Sequence, residues 1–156
     1  MIRPAREEDV PTILRFIHEL AEFERLADRL ETSEPALREH LFGERPCCEA
    51  WLAWEDGQPV GFALCFVCYS TFKTSPCLWL EDLYVTPAAR ARGHGGELLR
   101  HLAQVAVARG YPRLDWAVLD WNEAALGFYR RLGARTLDDW RICRLEGEAL
   151  AALGSA

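Results

Sequence analysis

The stretch Arg90–Leu99, RARGHGGELL, places Gly93, Gly95 and Gly96 directly ahead of a long amphipathic run. Glycine costs a helix interior about 1 kcal/mol relative to alanine. Three of them at a helix start therefore need a reason. The first turn of a helix carries four unpartnered backbone N–H groups and the positive end of the helix dipole. Stripping side chains from that turn lets an anion approach those groups. Glycine also reaches backbone angles that curl the amides inward. Arg90, just upstream, would add a charged fork toward the same phosphate. The run is not a P-loop, because no Lys-Ser/Thr follows it. It is not G-x-G-x-x-G either, since Gly93-His94-Gly95-Gly96 is followed by Glu97 and Leu98. The competing reading is a glycine turn packed close to a neighbour.

The 156 residues suffice for one domain with a proper core, so 1–156 is expected to be a single domain. Half of the residues are hydrophobic, a globular composition. A formal net charge of −6 argues against a nucleic-acid partner and suits a cationic one. Cys65 and Cys68 form a C-x-x-C pair inside an apolar strand-like run, where positions three apart face opposite ways. No second pair completes a zinc site, so buried reduced thiols and no metal are expected. No transmembrane-length apolar run and no signal peptide is read in the sequence, so no membrane partner is expected and, with reduced cysteines, a cytoplasmic location is.

IRPA reads as a short strand. Asp9 caps a helix to about Leu26, and Ser33 caps a second ending at Gly43. EAWLAWEDGQPVGFALCFVCYS is a hairpin around Asp56-Gly57. CLWLEDLYV is a strand stopped by Pro87, followed by the glycine-led helix to about Ala108. RLDWAVLD is a strand, NEAALGFYRRL a helix ended by Gly133, and RTLDDWRICRL one or two last strands. The class is α/β, with an antiparallel first half and a β-α-β unit in the second.

Arg90-x-x-Gly93-x-Gly95, between LEDLYVTP and a helix, resembles the acetyl-CoA pyrophosphate loop of the GCN5-related N-acetyltransferase (GNAT) superfamily. The order of IRPA, ILRFIHELAEFERL, VGFALCF, YSTF, LEDLYV, VLDWN and FYRRLGA is similar to its diamine acetyltransferase branch. That branch comprises spermidine/spermine and thialysine N-ε-acetyltransferases, and YSTF and AVLDWN lean to the thialysine side. The resemblance covers nearly the whole chain. It implies a mixed central sheet with splayed central strands and flanking helices, acetyl-CoA as cosubstrate, and a homodimer.

The reaction so implied is aminolysis of a thioester. An aliphatic amine, with a pKa near 10, must lose a proton before attack, and the departing thiolate must gain one. By resemblance Tyr129 is the general acid and Glu81 draws the amine proton or holds the cation. Alternation sends the adjacent Asp82 to the opposite face. Leu83, Tyr84 and Val85 pair with the pantetheine arm beside a bulge, and a strand N–H polarises the thioester carbonyl. Arg90, Ala91, Arg92, Gly93, His94, Gly95 and Gly96 form the phosphate loop. Asn122, Glu123, Ala124 and Ala125 also meet the cofactor, Asn122 doubling as helix N-cap. His94 lies beside the cofactor or points to solvent.

For the amine pocket the resemblance implies Phe23, Glu24, Glu81, Ser70, Thr71, Asp115, Trp116, Ala117 and Asp138. Acids and aromatics suit a cationic amine. Ser70, Thr71 and Phe72 replace the Asp-Pro-Trp of the polyamine enzymes, which favours an amino-acid amine over a long polycation. Ala91 and Gly96 stand where relatives often have Gly and Ser or Thr. Three classes remain: a small-molecule N-acetyltransferase, for thialysine-like or polyamine substrates; a protein acetyltransferase; and a non-catalytic acetyl-CoA-binding protein.

Overall fold

The apolar runs between Glu49 and Val85 form an antiparallel meander, because their alternation gives each strand two usable faces. The structure, a computed structural model, describes residues 1–155. Strand β1 (Ile2–Pro4) pairs with β2 (Glu49–Glu55), β2 with β3 (Gln58–Ser70), and β3 with β4 (Ser75–Val85), all antiparallel. Strand β5 (Leu114–Trp116) joins β4 in parallel, giving the order β1-β2-β3-β4-β5. The turn joining β2 and β3 has positive φ at both Asp56 (50°) and Gly57 (75°), as a type I′ hairpin turn requires.

Helices α1 (Val10–Phe23) and α2 (Glu34–Phe42) cover one face of this sheet. Val10, Ile13, Phe16, Leu37 and Leu41 pack there on Leu52, Phe62, Leu64 and Tyr84. Phe16 stacks on Phe62 with ring centres 5.8 Å apart. The opposite face receives α3 (His94–Ala108), whose His101 ring meets Trp51 at 4.3 Å. The contacts divide into two compact units, Met1–Ala117 and the segment from Val118 onward. The second unit carries α4 (Glu123–Arg131) and α5 (Gly147–Gly154).

Ser33 caps α2 as expected, accepting from Ala36 N at 3.4 Å. Asp9 does not cap α1. A short 3-10 turn, Glu7–Asp9, precedes the helix, and the Asp9 carboxylate faces Arg3 of β1 instead. It accepts from both Arg3 terminal nitrogens, at 2.7 and 2.9 Å, and from Arg6 N at 2.7 Å. Helix α1 ends at Phe23 and not Leu26, because Arg25 turns left-handed at φ 61°. The second-half strand is only Leu114–Trp116, shorter than RLDWAVLD. The strands expected in RTLDDWRICRL are absent among the described residues; 134–146 holds only a turn at Asp138–Asp139. A sheet edge three residues long offers a further strand little to pair with. The chain then forms α5 from EALAAL, rich in strong helix formers and not anticipated from sequence. Cys65 is buried and Cys68 only half-buried, and all six cysteines are free.

Asp9 is buried, so its loss leaves the Arg6 N–H without its acceptor and the Arg3 guanidinium without its counter-charge, with only the Pro4 carbonyl and the Trp54 ring beside it. Burial alone would raise its carboxyl pKa; Arg3 and the Arg6 N–H outweigh that and hold it below the usual value. Asp9→Ala should lose about 3 kcal/mol in urea unfolding at pH 7. Because the native value is lowered, the wild-type advantage is full above about pH 4 and fades as pH falls through that native value.

Candidate active site

One extra residue in β4 organises the acids of the first unit. Leu64 pairs with Asp82 and the next residue, Cys65, with Leu80, so Glu81 has no partner on β3. This bulge breaks the two-residue alternation. Trp79 Nε1 donates to Glu81 Oε2 at 2.9 Å, which sets Glu81 on the face of Trp79. Asp82 pairs with Leu64 and so faces α1. Phe66, which pairs with Trp79, lies two residues from Leu64 and shares its face. Glu81 and Asp82 therefore share one face, against the expectation that alternation would separate them. Glu24 closes α1 on the same side.

The acids act on one another. Burial first, then the neighbouring Glu81 and Glu24, push the Asp82 carboxyl up to about 7. Burial likewise pushes Glu24 up. Two carboxylates partly withheld from water, Glu24 and Asp82, beside the exposed Glu81 make a strong pull for a cation, and a group titrating near neutrality is matched to proton transfer. The sequence reading missed Asp82 because a bulge leaves no mark in the residue pattern.

Ser70 and Asp115 are brought together by a residue not anticipated, Arg113. Its Nε donates to Asp115 Oδ2 and its Nη1 to Ser70 Oγ at 3.3 Å. By register Asp115 lies opposite Trp79, and Trp116 opposite Leu80, on the other face. Thr71 is exposed in the β3–β4 turn, where its carbonyl accepts from Thr74 N at 3.3 Å. Ala117 is exposed just beyond β5.

Beyond Leu80, β4 has no partner on β5, so one edge of Glu81–Val85 is open among the described residues. Leu83, Tyr84 and Val85 remain bonded on their other side to Ala63, Phe62 and Gly61. This is the backbone opening that an extended arm could pair with.

The glycine loop follows Val85. Gly93 is left-handed at φ 94° and begins α3; Ala91, without glycine's freedom, is also left-handed at φ 62°. Among the described residues no acceptor meets the backbone N–H groups of Ala91, Arg92, Gly93, His94, Gly95 and Gly96. That donor set fits a phosphate-bearing ligand. The neighbouring cations point elsewhere. Arg90, expected to fork toward the same anion, donates Nε to Val85 O at 3.0 Å and lies over the Phe23 ring at 4.7 Å. Together with Glu19, Phe23, Tyr84 and Thr86 it lines an open cavity of about 640 Å³. Arg92 and His94 both reach Glu55, and His94 is buried, not solvent-directed.

In the second unit Asn122 caps α4 by accepting from Ala125 N at 3.2 Å. Glu123, Ala124 and Ala125 form the first turn of that helix. Tyr129, half-buried, lies on α4 with its ring centre 5.2 Å from that of Phe128. Asp138 is exposed in the turn after α4.

Comparison with known proteins bears on both units. The profile of the Acetyltransferase (GNAT) family matches residues 14–134. A thialysine N-epsilon-acetyltransferase of Bos taurus is 43% identical over 98% of this chain and 96% of its own length. A human spermidine/spermine N(1)-acetyltransferase-like protein is 34% identical over 96% of this chain, which corresponds to 23% of that protein. An integron cassette protein from the mobile metagenome of V. cholerae has a similar solved structure, with TM-score 0.82 and 27% identity over 100% of this chain and 98% of its own. A loop of unpartnered amides, an opened strand edge and, above all, a family match spanning 14–134 place the chain in the GNAT acetyltransferase family.

Proposed function

We propose that this protein is an acetyl-CoA-dependent N-acetyltransferase that acetylates the primary amine of a small cationic substrate, a thialysine-like amino acid in preference to a polyamine. The observation that carries this reading is the shared face of Glu24, Glu81 and Asp82, a cation-seeking surface beside the open edge of β4. Identity of 43% to a protein named for thialysine acetylation supports the substrate class. Ser70, held by Arg113, stands where the polyamine enzymes carry an acid, which removes a partner for a second ammonium.

Acetyl-CoA, when bound, supplies an activated thioester. The N–H groups of the loop from Ala91 to Gly96 hold its phosphates, and the backbone of Leu83–Val85 aligns the arm. Asn122 and the first turn of α4 add further contacts. Phe23, Glu24, Asp115, Trp116, Thr71, Ala117 and Asp138 complete the amine side in this reading. The Glu81–Asp82 pair takes the amine proton. Asp82 is the better matched acceptor, because its carboxyl sits near 7 while Glu81 is held by Trp79. Tyr129 gives a proton to the thiolate that leaves, so no covalent enzyme intermediate is needed. The family match runs through both units, which supports one catalytic domain. The homodimer implied by the family resemblance belongs to the same proposal. Among the described residues no helix is long and apolar enough to cross a membrane.

The direct test is the initial rate of thiol release from acetyl-CoA across thialysine, lysine, ornithine, putrescine, spermidine, spermine and a lysine peptide. The expected order in kcat/KM has thialysine or another amino-acid amine first. Preference for spermine or spermidine moves the assignment to the polyamine branch, and preference for the peptide to protein acetylation. Tyr129→Phe should lower kcat about 100-fold, the scale of a lost general acid. Undiminished turnover would remove Tyr129 from the mechanism.

Asp82 links activity to stability. With its native value near 7 and the unfolded one near 4, native stability falls as pH rises between them, since the unfolded chain releases its proton first. Asp82→Asn should therefore unfold at a higher temperature than wild type at pH 8 and at the same temperature near pH 4. The same variant should lose about 100-fold in kcat/KM at pH 8, and the wild-type rise in rate through pH 7 should vanish.

A further inference from the structure

We infer that Glu55, at the tip of the β2–β3 hairpin, is a positioning residue for the glycine loop, clamping the loop on both sides of Gly93 so that its amides converge on the cofactor phosphates. The inference rests on the cofactor reading above.

The clamp is made by two residues that flank one glycine. Arg92 Nη1 donates to Glu55 Oε2 at 2.8 Å, and His94 Nε2 meets Glu55 Oε1 at 3.2 Å. Each carboxylate oxygen thus holds one side of Gly93, the residue with φ 94° that reverses the chain into α3. A carboxylate only accepts, so His94 carries its proton on Nε2 in this contact. His94 Nδ1 is then left without a hydrogen-bond partner, with Glu97 Oε2 at 3.7 Å. The imidazole is only 9% exposed, whereas Arg92 is 57% exposed. Burial would raise the Glu55 carboxyl, but His94 and Arg92 hold it below the usual range.

Glu55 is well suited to serve as an anchor. It pairs with Gln58 across the two-residue turn, and both turn residues are fixed in the left-handed region. Short hairpin turns of this kind set register rigidly. The segment 91–93 has no such pairing of its own. It holds two left-handed residues, Ala91 and Gly93, and leads straight into Gly95 and Gly96 in the first turn of α3. Tying Arg92 and His94, the first residue of α3, to that carboxylate transfers the order of the hairpin to the loop. An isolated exposed Arg–Glu pair contributes little. Here the partners lie 37 and 39 residues away in sequence, and one of them is buried. The contact also removes Arg92 and His94 from direct charge contact with a phosphate. Recognition then falls on the six backbone N–H groups, whose strength depends on their mutual geometry.

The test uses the full chain with Glu55→Ala and Glu55→Gln. Acetyl-CoA affinity is measured by calorimetry, kcat and KM by thiol release, and loop order by amide hydrogen exchange at residues 91–96. Glu55→Ala should raise Kd and KM for acetyl-CoA about 10-fold, with kcat within twofold of wild type. Exchange should quicken in the loop but not in β3. Glu55→Gln, which keeps one acceptor, should fall between the two and covers the case in which the alanine variant fails to fold. Unchanged or tighter acetyl-CoA binding in both variants would overturn the clamp, since it would mean that freed Arg92 serves the phosphate at least as well. Equal loss in kcat and KM with faster exchange throughout the first unit would also overturn it, as a general loss of structure. If wild type itself binds no acetyl-CoA, the cofactor reading fails and the clamp falls with it.

Discussion

The unpaired Glu81 in β4 is the constraint on which the acidic face depends. A regular strand would send Glu81 and Asp82 to opposite faces and keep β4 flush against its neighbours. With one residue inserted, both carboxylates join Glu24 on the α1 side, and β4 continues past the last residue it shares with β5. The irregularity concentrates negative charge, and the short β5, ending opposite Leu80, leaves an open strand edge beside it. The stacking of Phe16 on Phe62 and its contact with Tyr84 fix the helix above that face, so the acids meet a defined wall.

Charge is handled differently at the glycine loop. Arginines bracket it in sequence, which invites a reading in which they grip the anion. The structure binds them instead to protein acceptors, Arg90 to the Val85 carbonyl and two aromatic rings, Arg92 to Glu55. They shape the walls, and the amides remain as the donors. In the proposed reading, this division accounts for the concentration of glycine, which has no side chain to offer, at the start of α3.

Much of this was legible in the residues. The Asp56-Gly57 turn, the Ser33 and Asn122 caps and the glycine-led helix are local devices whose causes lie within a few positions. Asp9 looked like such a device and was not. Its partner Arg3 lies six residues away on another element, farther than the helix N–H groups a cap would reach, and packing decides between them. A bulge near Leu83 was implied by the family resemblance, but not that it would turn Asp82 to the side of Glu81; the Arg113–Ser70 link and the Glu55 contacts join residues far apart in the chain, so no local pattern announces them. The last strands were expected in RTLDDWRICRL, which carries Leu137, Trp140 and Ile142. Alternation makes a strand only where an edge is available, and these side chains remain largely exposed.

The connectivity of the sheet also sets an order of assembly. Strands β2, β3 and β4 follow one another through short turns, so their pairing closes small loops. In contrast β1 must find Ala53 from Ile2, and β5 must wait for the crossover through α3. Small loops close first because they sacrifice less chain entropy. Glu55 and the Glu81 irregularity both belong to this early hairpin pair, whereas the glycine loop and α3 arrive later. By loop-closure entropy the glycine loop and α3 thus dock onto a hairpin pair whose charges shorter-range pairing has already set in place.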